Sequence, residues 1–306
     1  MTIFLRLLTV ISLFVTLSTG QESFFQSKTV IIPHDEKRYR GGEDSADAND
    51  FVLTVADGVG DWRELGVDPG DFSRALTRSV IQQAEQHSEL DTSHLLSQAC
   101  NSAAQKHEGT STLLVLKLID YNQELRLEAS NLGDSGYALF HVNPQNDTLE
   151  MYFRSPPQQK THNFPYQCGA SKGDDPAKAE LFFHPDVREG DVVLAFTDGF
   201  HDNVFDSGMY HCIEEFTHGG LVTSLSGAAD CLARKAYFLG KERNFQSPWM
   251  KDLKNFTESG IPTNSQLPRH FDFVGGKHDD ITVTIAQIFA SSEYRDLSAN
   301  DTYFRA

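Results

Sequence analysis

Short apolar segments rich in β-branched residues recur along this chain, and several of them meet an aspartate beside a glycine. Phe51–Val55 leads into Asp57, and Val192–Thr197 leads into Asp198. Segments of this length and composition are typical of β-strands. Glycine lets the backbone turn sharply at a strand end, so these carboxylates are expected to project from the edge of a sheet.

The order of the predicted elements indicates the fold class. Two predicted helices, one starting at Pro69 and one after Ser93, separate the first strand from a run of consecutive strands, and a third helix is predicted from Ser224 to Leu239. Strands and helices do not alternate strictly, which favours an α+β fold with two packed antiparallel β-sheets flanked by helices. Turn formers predict a loop over the site at residues 155–175. The predicted strands are Phe51–Val55, Thr112–Ile119, Leu125–Ala129, Tyr137–Val142, Val192–Thr197 and Ile281–Phe289.

Charge and length narrow the function classes. The chain has 306 residues, 39% of them hydrophobic, and no internal linker is evident, so one large domain is the simplest prediction. The formal net charge of −17 disfavours nucleic acid as a partner, because phosphate-backbone binding relies on clustered lysine and arginine.

The first 20 residues are typical of a targeting segment. Arg6 precedes an apolar run from Leu7 to Leu17, and the small residues Ser18 and Gly20 suit a cleavage site. The run is too short for a stable membrane span. A secretory signal is therefore predicted for residues 1–20. Three N-glycosylation sequons agree with it; they begin at Asn146, Asn255 and Asn300.

The cysteines leave their redox state open. Four are present, at Cys100, Cys168, Cys212 and Cys231, without the CxxC spacing of a zinc site. In an oxidising compartment they could form two disulfides by any of three pairings. Four buried thiols are an equally good interpretation.

Five acidic motifs together indicate a site for hard cations. They are GGEDS from Gly41, ADGVG from Ala56, NLGDS from Asn131, TDG from Thr197 and GKHDDIT from Gly276. A single Asp-Gly pair is more typical of a bare turn. Carboxylates from separate strand ends, however, are what Mg²⁺ or Mn²⁺ would need if the fold brings those ends together. The sequence has no HExxH, GxSxG or GxxxxGK[ST] motif, which removes zinc peptidases, serine hydrolases and P-loop NTPases.

The ordered set GGEDS, ADGVG, GTSTL, NLGDSG, TDGFHDNV and GGKHDDITV resembles the PPM, or type 2C, family of metal-dependent serine/threonine protein phosphatases. The resemblance covers residues 38–290 and leaves a polar tail at residues 291–306. ADGVGDW, FPYQ and GGKHDDITV resemble in particular the branch of mitochondrial-matrix and T-cell-activation phosphatases. It implies phosphorylated proteins as partners and hydrolysis by direct attack of a metal-bridging water.

The resemblance also implies a set of metal ligands. Asp57 is expected to bridge two Mg²⁺ or Mn²⁺ ions, and the Gly58 carbonyl to bind one of them. Asp198 and Asp279 are expected to bind the other ion, and Asp134 a third, weaker one. Asp57, Asp198 and Asp279 are thus the predicted catalytic residues.

Other residues are expected around these ligands. Glu43 and Asp44 match acids that hold metal-bound waters, and Asp280 is placed beside them. Many family members have a histidine directly after the Asp-Gly pair and an arginine four residues before the first acid. Val59 and Tyr39 occupy those positions here, so the weaker candidates for substrate binding are Arg38, Arg40 and His278.

Two alternatives stay open. The first is a catalytically weak or inactive member of the fold that binds phosphoproteins; the filled positions of Asp57, Asp198 and Asp279 argue against it. The second concerns location, because the family branch points to mitochondria whereas the N-terminus points to the secretory route. A calcium module is disfavoured, since no continuous loop supplies enough oxygen ligands. The sequence does not predict an oligomeric state.

Overall fold

The computed structural model describes residues 23–121, 124–260 and 271–290. Its strands are β1 Ser23–Ile32, β2 Asp44–Ala48, β3 Val52–Asp57, β4 Thr110–Ser111, β5 Leu113–Tyr121, β6 Glu124–Leu132, β7 Gly136–Val142, β8 Leu149–Arg154, β9 Gln159–Thr161, β10 Phe164–Pro165, β11 Cys168–Gly169, β12 Glu180–His184, β13 Val192–Phe196, β14 Thr217–His218, β15 Leu221–Val222 and β16 Ile281–Ala290. Its α-helices are α1 Pro69–Gln86, α2 Thr92–Ala104, α3 Asp198–His201, α4 Asp206–Glu214, α5 Leu225–Lys241 and α6 Pro248–Glu258. Short 3₁₀ helices span Asp35–Arg40, Gly60–Leu65 and Pro176–Lys178.

Two five-stranded antiparallel sheets form the centre of the fold. Their strand orders are β1-β16-β13-β7-β8 and β12-β6-β5-β3-β2. Alternate side chains of both sheets meet in an inner core, because successive residues of a strand point to opposite faces. Its fully buried members include Leu53, Leu114, Leu116, Tyr137, Leu139 and Val193. The predicted fold class is confirmed.

Helices cover the two outer faces. α1 and α2 pack on the sheet that contains β3 and β5, where Phe72, Leu76 and Leu96 are fully buried. α3, α4 and α5 pack on the sheet that contains β13 and β16, where Leu194 and Leu232 are buried. The central strands of both sheets are therefore covered on both faces, which explains why their sequences are nearly continuously apolar.

Capping residues fix where the helices begin. Asp68 accepts a hydrogen bond from the Gly70 N–H at 3.0 Å, with Pro69 in the first turn, so α1 starts where the sequence predicts. α2 starts one residue before Ser93, because Asp91 rather than Ser93 accepts from the His94 N–H at 2.8 Å. Ser224 caps α5, in agreement with the predicted start.

Two segments differ from the sequence-based boundaries. β1 lies before residue 38 yet pairs with β16 over ten residues, from Ser23 opposite Ala290 to Ile32 opposite Ile281. The loop predicted at residues 155–175 contains the short strands β9, β10 and β11. β11 pairs with β4, which attaches this segment, called the flap here, to the turn beside Gly58. Residues 1–22 and 291–306, with the predicted targeting segment and tail, lie outside the described residues.

All four cysteines form disulfides. Cys100 on α2 is bonded to Cys168 on the flap, and Cys212 on α4 is bonded to Cys231 on α5. The Cα–Cα distances of 5.9 and 5.6 Å suit such bonds. The structure thus selects one of the three possible pairings. Within the described ranges, no helix is both long and apolar enough to cross a membrane.

Leu194→Ala should lower the free energy of unfolding by about 2–5 kcal/mol, because Leu194 is fully buried between β13 and the helices. Leu181→Ala is the matched control, since the Leu181 side chain on the edge strand β12 is 65% exposed. Urea unfolding of both variants checks this. Similar losses for the two would contradict the assigned strand faces.

Candidate metal centre

Acidic residues from several strand ends meet at one end of the sandwich. Asp44, which begins β2, lies directly opposite Asp57, which ends β3. Asp198 follows β13 and Asp279 precedes β16, and these two strands are paired so that Phe196 faces Val283. The register of the sheets therefore brings carboxylates that are distant in sequence to one place.

These residues border a cleft of about 520 Å³. Each predicted metal ligand lines it: Asp57, Gly58, Asp134, Asp198 and Asp279. The flap closes one side of the cleft with Phe164 and Lys172, among others. The predicted loop over the site is thus found where it was expected, with Cys168 tying it to α2.

Close backbone packing explains two of the glycines. A Cβ at Gly199 would lie 1.9 Å from the Asp280 carbonyl oxygen, so only glycine lets the start of α3 approach the start of β16. A Cβ at Gly58 would lie 2.7 Å from the Pro69 carbonyl oxygen and 2.8 Å from that of Glu43. Because Gly199 and Gly58 have no side chain, Asp198 can lie near Asp279 and Asp57 near Glu43.

Lys277 lies between the carboxylates on the α3 side of the cleft. Its Nζ is 2.9 Å from Asp202 Oδ2 and 3.4 Å from Asp279 Oδ2, and it also contacts Asp198 Oδ2. Burial alone would lower the pKa of Lys277, but these carboxylates, Asp198 foremost, raise it well above its usual range. Lys277 therefore stays an ammonium ion.

On the opposite side of the cleft, Lys37 also lies between carboxylates and stays positively charged. Its Nζ is 2.7 Å from Glu43 Oε2, 2.8 Å from Asp280 Oδ2 and 3.5 Å from Asp279 Oδ1. Burial lowers the pKa of this lysine, yet Asp279 and Asp280 outweigh that effect and raise it. Sequence reasoning missed both lysines and Asp202, because nothing in their local sequence shows that they point inward.

The remaining carboxylates carry strongly shifted pKa values. Burial raises the pKa of Asp57 well above its usual range, and repulsion by Asp198 and Asp44 adds to it. Burial and then Asp198 do the same to the pKa of Asp134. A cation near these groups would favour their charged forms, so the electrostatics of the cleft suit a divalent ion.

Two buried oxygens are left without partners. Within the described residues, neither Asp198 Oδ1 nor Asp44 Oδ1 has a hydrogen-bond partner. In the same residues no three His, Cys, Asp or Glu side chains are placed so that they could hold a metal ion together as they stand. Lys37 and Lys277 separate the carboxylates, which explains this. The donor set is made of carboxylate and carbonyl oxygens, and Asp198 Oδ1 stays free while Lys277 contacts Oδ2, so its chemistry fits hard cations.

The three acids predicted around the ligands have different partners. Asp44 Oδ2 accepts from Thr197 and Thr282, both at 2.8 Å. Glu43 is fully engaged by cations, because Arg40 and Arg63 reach Oε1, each at 2.9 Å, while Lys37 reaches Oε2. Glu43 also lines the cleft, and the water-holding role expected for it stays a prediction.

Asp280 lies behind the cleft lining, where it contacts Lys37 and Glu43. Its Oδ1 accepts from the His34 N–H at 2.7 Å, and its Oδ2 accepts from the Glu43 N–H at 3.0 Å. These bonds hold the segment after β1 against the start of β16. Asp280 does not line the cleft.

The structure does not bring the predicted substrate-binding residues into the cleft. Arg38 binds Asp35 at 2.9 Å, and its Nη2 donates to the Tyr237 hydroxyl. The His278 ring lies against the His34 ring, tilted by 40° with the centroids 4.0 Å apart. Neither of them, nor Arg40, lines the cleft. No histidine is among its described lining residues, and Val59 lies in the lining.

Comparisons with known proteins agree with this geometry, although no family model matches the chain. It is 32% identical over 271 residues to "Probable protein phosphatase 2C 55" of Arabidopsis thaliana, covering 87% of this chain and 52% of that protein. It is 33% identical over 250 residues to protein phosphatase 2C 23 of Oryza sativa subsp. japonica, covering 79% of this chain and 71% of that protein. The chain belongs to the protein phosphatase 2C family. It spans little more than half the length of two Arabidopsis relatives, the probable protein phosphatases 2C 55 and 2C 80.

Solved structures of this family share the fold. The photosystem II phosphatase PBCP is 29% identical, with a TM-score of 0.71 over 86% of this chain and 98% of that one. The catalytic domain of the serine threonine protein phosphatase PstP, in complex with 2 manganese ions, has a TM-score of 0.56 over 88% of this chain and 100% of that one; at 15% identity it supports the fold alone. The branch within the protein phosphatase 2C family stays a prediction.

Mn²⁺ should raise the melting temperature of the wild-type protein, because an ion that binds only the folded state stabilises it. Asp57→Asn should lose most of this increase, since it removes a charge from the centre of the carboxylate cluster. Asp50→Asn, before the other end of β3, is the control and should keep it. Thermal unfolding with and without Mn²⁺ measures both. An undiminished increase in Asp57→Asn would remove Asp57 from the ligand set.

Proposed function

We propose that this protein is a metal-dependent serine/threonine phosphatase that hydrolyses phosphoserine and phosphothreonine in proteins. One observation carries the proposal: oxygen donors from β3, α3, the β6–β7 turn and the start of β16 line a single cleft. Its membership of the protein phosphatase 2C family supports the same activity.

The cofactors proposed are two Mg²⁺ or Mn²⁺ ions, with a third bound weakly. Asp57 and the Gly58 carbonyl would hold one ion, Asp57, Asp198 and Asp279 the other, and Asp134 the third. Membership of the protein phosphatase 2C family supports metal dependence, and the number of ions follows from the family resemblance. When bound, such ions lower the pKa of an attacking water and neutralise charge on the phosphoryl oxygens.

The chain's own residues position the reactants. Asp202 and Asp279 hold Lys277, so the Asp198 carboxylate is fixed beside the cleft. The flap limits access of water from one side. Lys37 and Lys277 are the buried ammonium groups of the lining, and each is held by three carboxylates. We expect water in the cleft to supply the proton for the leaving serine oxygen.

The alternative of an inactive phosphoprotein-binding protein remains the main competitor. It would keep the fold and the cleft but not turn over substrate. The filled acidic positions and their unpartnered oxygens favour the enzyme. Hydrolysis of a phosphoserine peptide by the purified chain, with Mn²⁺ and with EDTA, separates the two functions.

Asp198→Ala and Asp279→Ala should each lower kcat by about 10²-fold or more, because each removes charge from the same proposed ion. The loss of kcat in the double variant should be far smaller than the product of the two single losses, since both residues are proposed to bind the same ion. Steady-state rates on a phosphoserine peptide measure this. Fully multiplicative losses would show that the two residues do not share an ion.

We also propose that the chain enters the secretory pathway, with the mitochondrion as the alternative. Two disulfides among four cysteines support an oxidising compartment. Asn146 supports it too, because it is exposed in the turn between β7 and β8. Its Oδ1 accepts from the Thr148 hydroxyl at 2.8 Å, so the sequon forms an ordered surface turn.

An N-linked glycan should be found on Asn146 when the full chain is expressed in eukaryotic cells. Peptide N-glycosidase should then increase the gel mobility of the protein. In Asn146→Gln, the part of this increase that comes from the Asn146 glycan should be absent. Thr148→Ser should keep it, since serine also completes the sequon. An unmodified Asn146 in protein recovered from mitochondria would overturn the secretory route.

A further inference from the structure

The cleft lacks an arginine at the position where the family resemblance expects one. Tyr39 stands there, and its side chain is 85% exposed. Arg38 and Arg40, its neighbours in sequence, do not line the cleft. A phosphorylated substrate still brings two negative charges to a cleft whose walls are acidic, so some cation at its mouth has to receive them.

Arg63 lies at the mouth of the cleft. It belongs to the 3₁₀ helix Gly60–Leu65, which follows β3 and Asp57 almost directly. Its Nε is 2.9 Å from Glu43 Oε1 and donates to the Gly60 carbonyl oxygen at 3.1 Å. A Cβ at Gly60 would lie 3.0 Å from Arg63 Nη2, so the guanidinium lies against this glycine.

One side of this guanidinium is held and the other is free. In the described part of the chain, Arg63 donates one hydrogen bond, from Nε to the Gly60 carbonyl oxygen, and neither Nη1 nor Nη2 donates one. The side chain is 42% exposed and lines the cleft together with Asp57 and Asp279. A fixed fork with free Nη groups is the geometry that binds two phosphoryl oxygens at once.

The other cations of the lining are less suited to this role. Lys37 and Lys277 each contact three carboxylates, which neutralise their charge. Lys172 is an exposed flap residue whose Nζ lies 5.3 Å from the centre of the Trp62 ring. Among the described residues, no carboxylate forms an ion pair with this ammonium to orient it. Arg63 has one carboxylate partner, Glu43, whose single charge is already shared with Lys37 and Arg40.

We propose that Arg63 binds the phosphoryl group of the substrate in this cleft, with Glu43 as the residue that orients it. The proposal rests on the phosphatase activity proposed above. It also gives Glu43 a positioning role toward Arg63. Sequence reasoning did not find Arg63, although the residue lies in the same turn as Asp57.

The test compares Arg63→Ala and Arg63→Lys with the wild-type enzyme. We measure KM for a phosphoserine peptide, inhibition by inorganic phosphate, and the Mn²⁺ concentration that gives half the maximal rate. Arg63→Ala should raise both KM and the phosphate inhibition constant by about tenfold or more, the effect of losing charge-assisted hydrogen bonds. Arg63→Lys should recover only part of this loss, because an ammonium lacks the fork. The Mn²⁺ requirement should stay within about twofold, since Arg63 touches no proposed ligand.

Two control variants separate direct from indirect effects. Arg40→Ala removes the other arginine on Glu43 Oε1, outside the cleft, and Lys172→Ala removes the exposed cation of the flap. Each should change the phosphate inhibition constant by less than about threefold, because neither loses the oriented fork. An equal effect of Arg40→Ala would show that Arg63 acts only through Glu43 and would overturn the proposal. An equal effect of Lys172→Ala would do so as well, by showing that any positive charge suffices.

Phosphate binding without turnover keeps this test independent of the proposed activity. Calorimetric titration of the Mn²⁺-loaded protein with inorganic phosphate should show binding that Arg63→Ala weakens by the same factor. If the wild-type protein binds phosphate in this way but hydrolyses no phosphopeptide, the phosphatase activity fails and the Arg63 site stands. If Arg63→Ala binds phosphate as tightly as the wild-type protein, the Arg63 site fails whatever the rate of hydrolysis.

Discussion

Mutual repulsion among carboxylates at one end of the sandwich is the constraint on which the rest of this structure depends. Asp44 and Asp134 are buried and Asp57 is half-buried beside other acids, and loss of solvent together with this repulsion raises their pKa values well above the usual range. Lys37 and Lys277 hold the neighbouring acids apart and supply positive charge. The packing of the two sheets stabilises an arrangement that electrostatics alone would disperse, and the same repulsion gives the cleft its affinity for divalent ions.

Local sequence patterns predicted the strand ends and the acids attached to them. Asp57, Asp134, Asp198 and Asp279 follow or precede apolar runs, and such runs form strands largely independently of their surroundings. The first strand, β1, was missed because Gln26 and its polar neighbours interrupt the apolar pattern; the strand exists because β16 pairs with it. Pairing between strands that are distant in sequence cannot be predicted from a window of ten residues.

The residues between the ligands could not be predicted in the same way. Lys37, Lys277 and Arg63 look like ordinary surface cations, and only the assembled sheets show that they point into the cleft. The cysteines present the same difficulty, because four residues allow three pairings until α2 and the flap are placed side by side. What a side chain does here depends on elements far away along the chain.

The pairing of β1 with β16 has a practical consequence for producing the protein. A piece trimmed to the boundary at residue 38 would lose β1 and Lys37 together. β16 would then become an exposed edge strand with a row of unpaired backbone groups and a nearly continuous apolar sequence, which is a template for association with other chains. Its first residue directly follows Asp280, whose buried carboxylate would lose both the Lys37 ammonium and the His34 N–H. Such a fragment would aggregate for reasons unrelated to catalysis, and a failure to obtain soluble protein from it would say nothing about the intact chain.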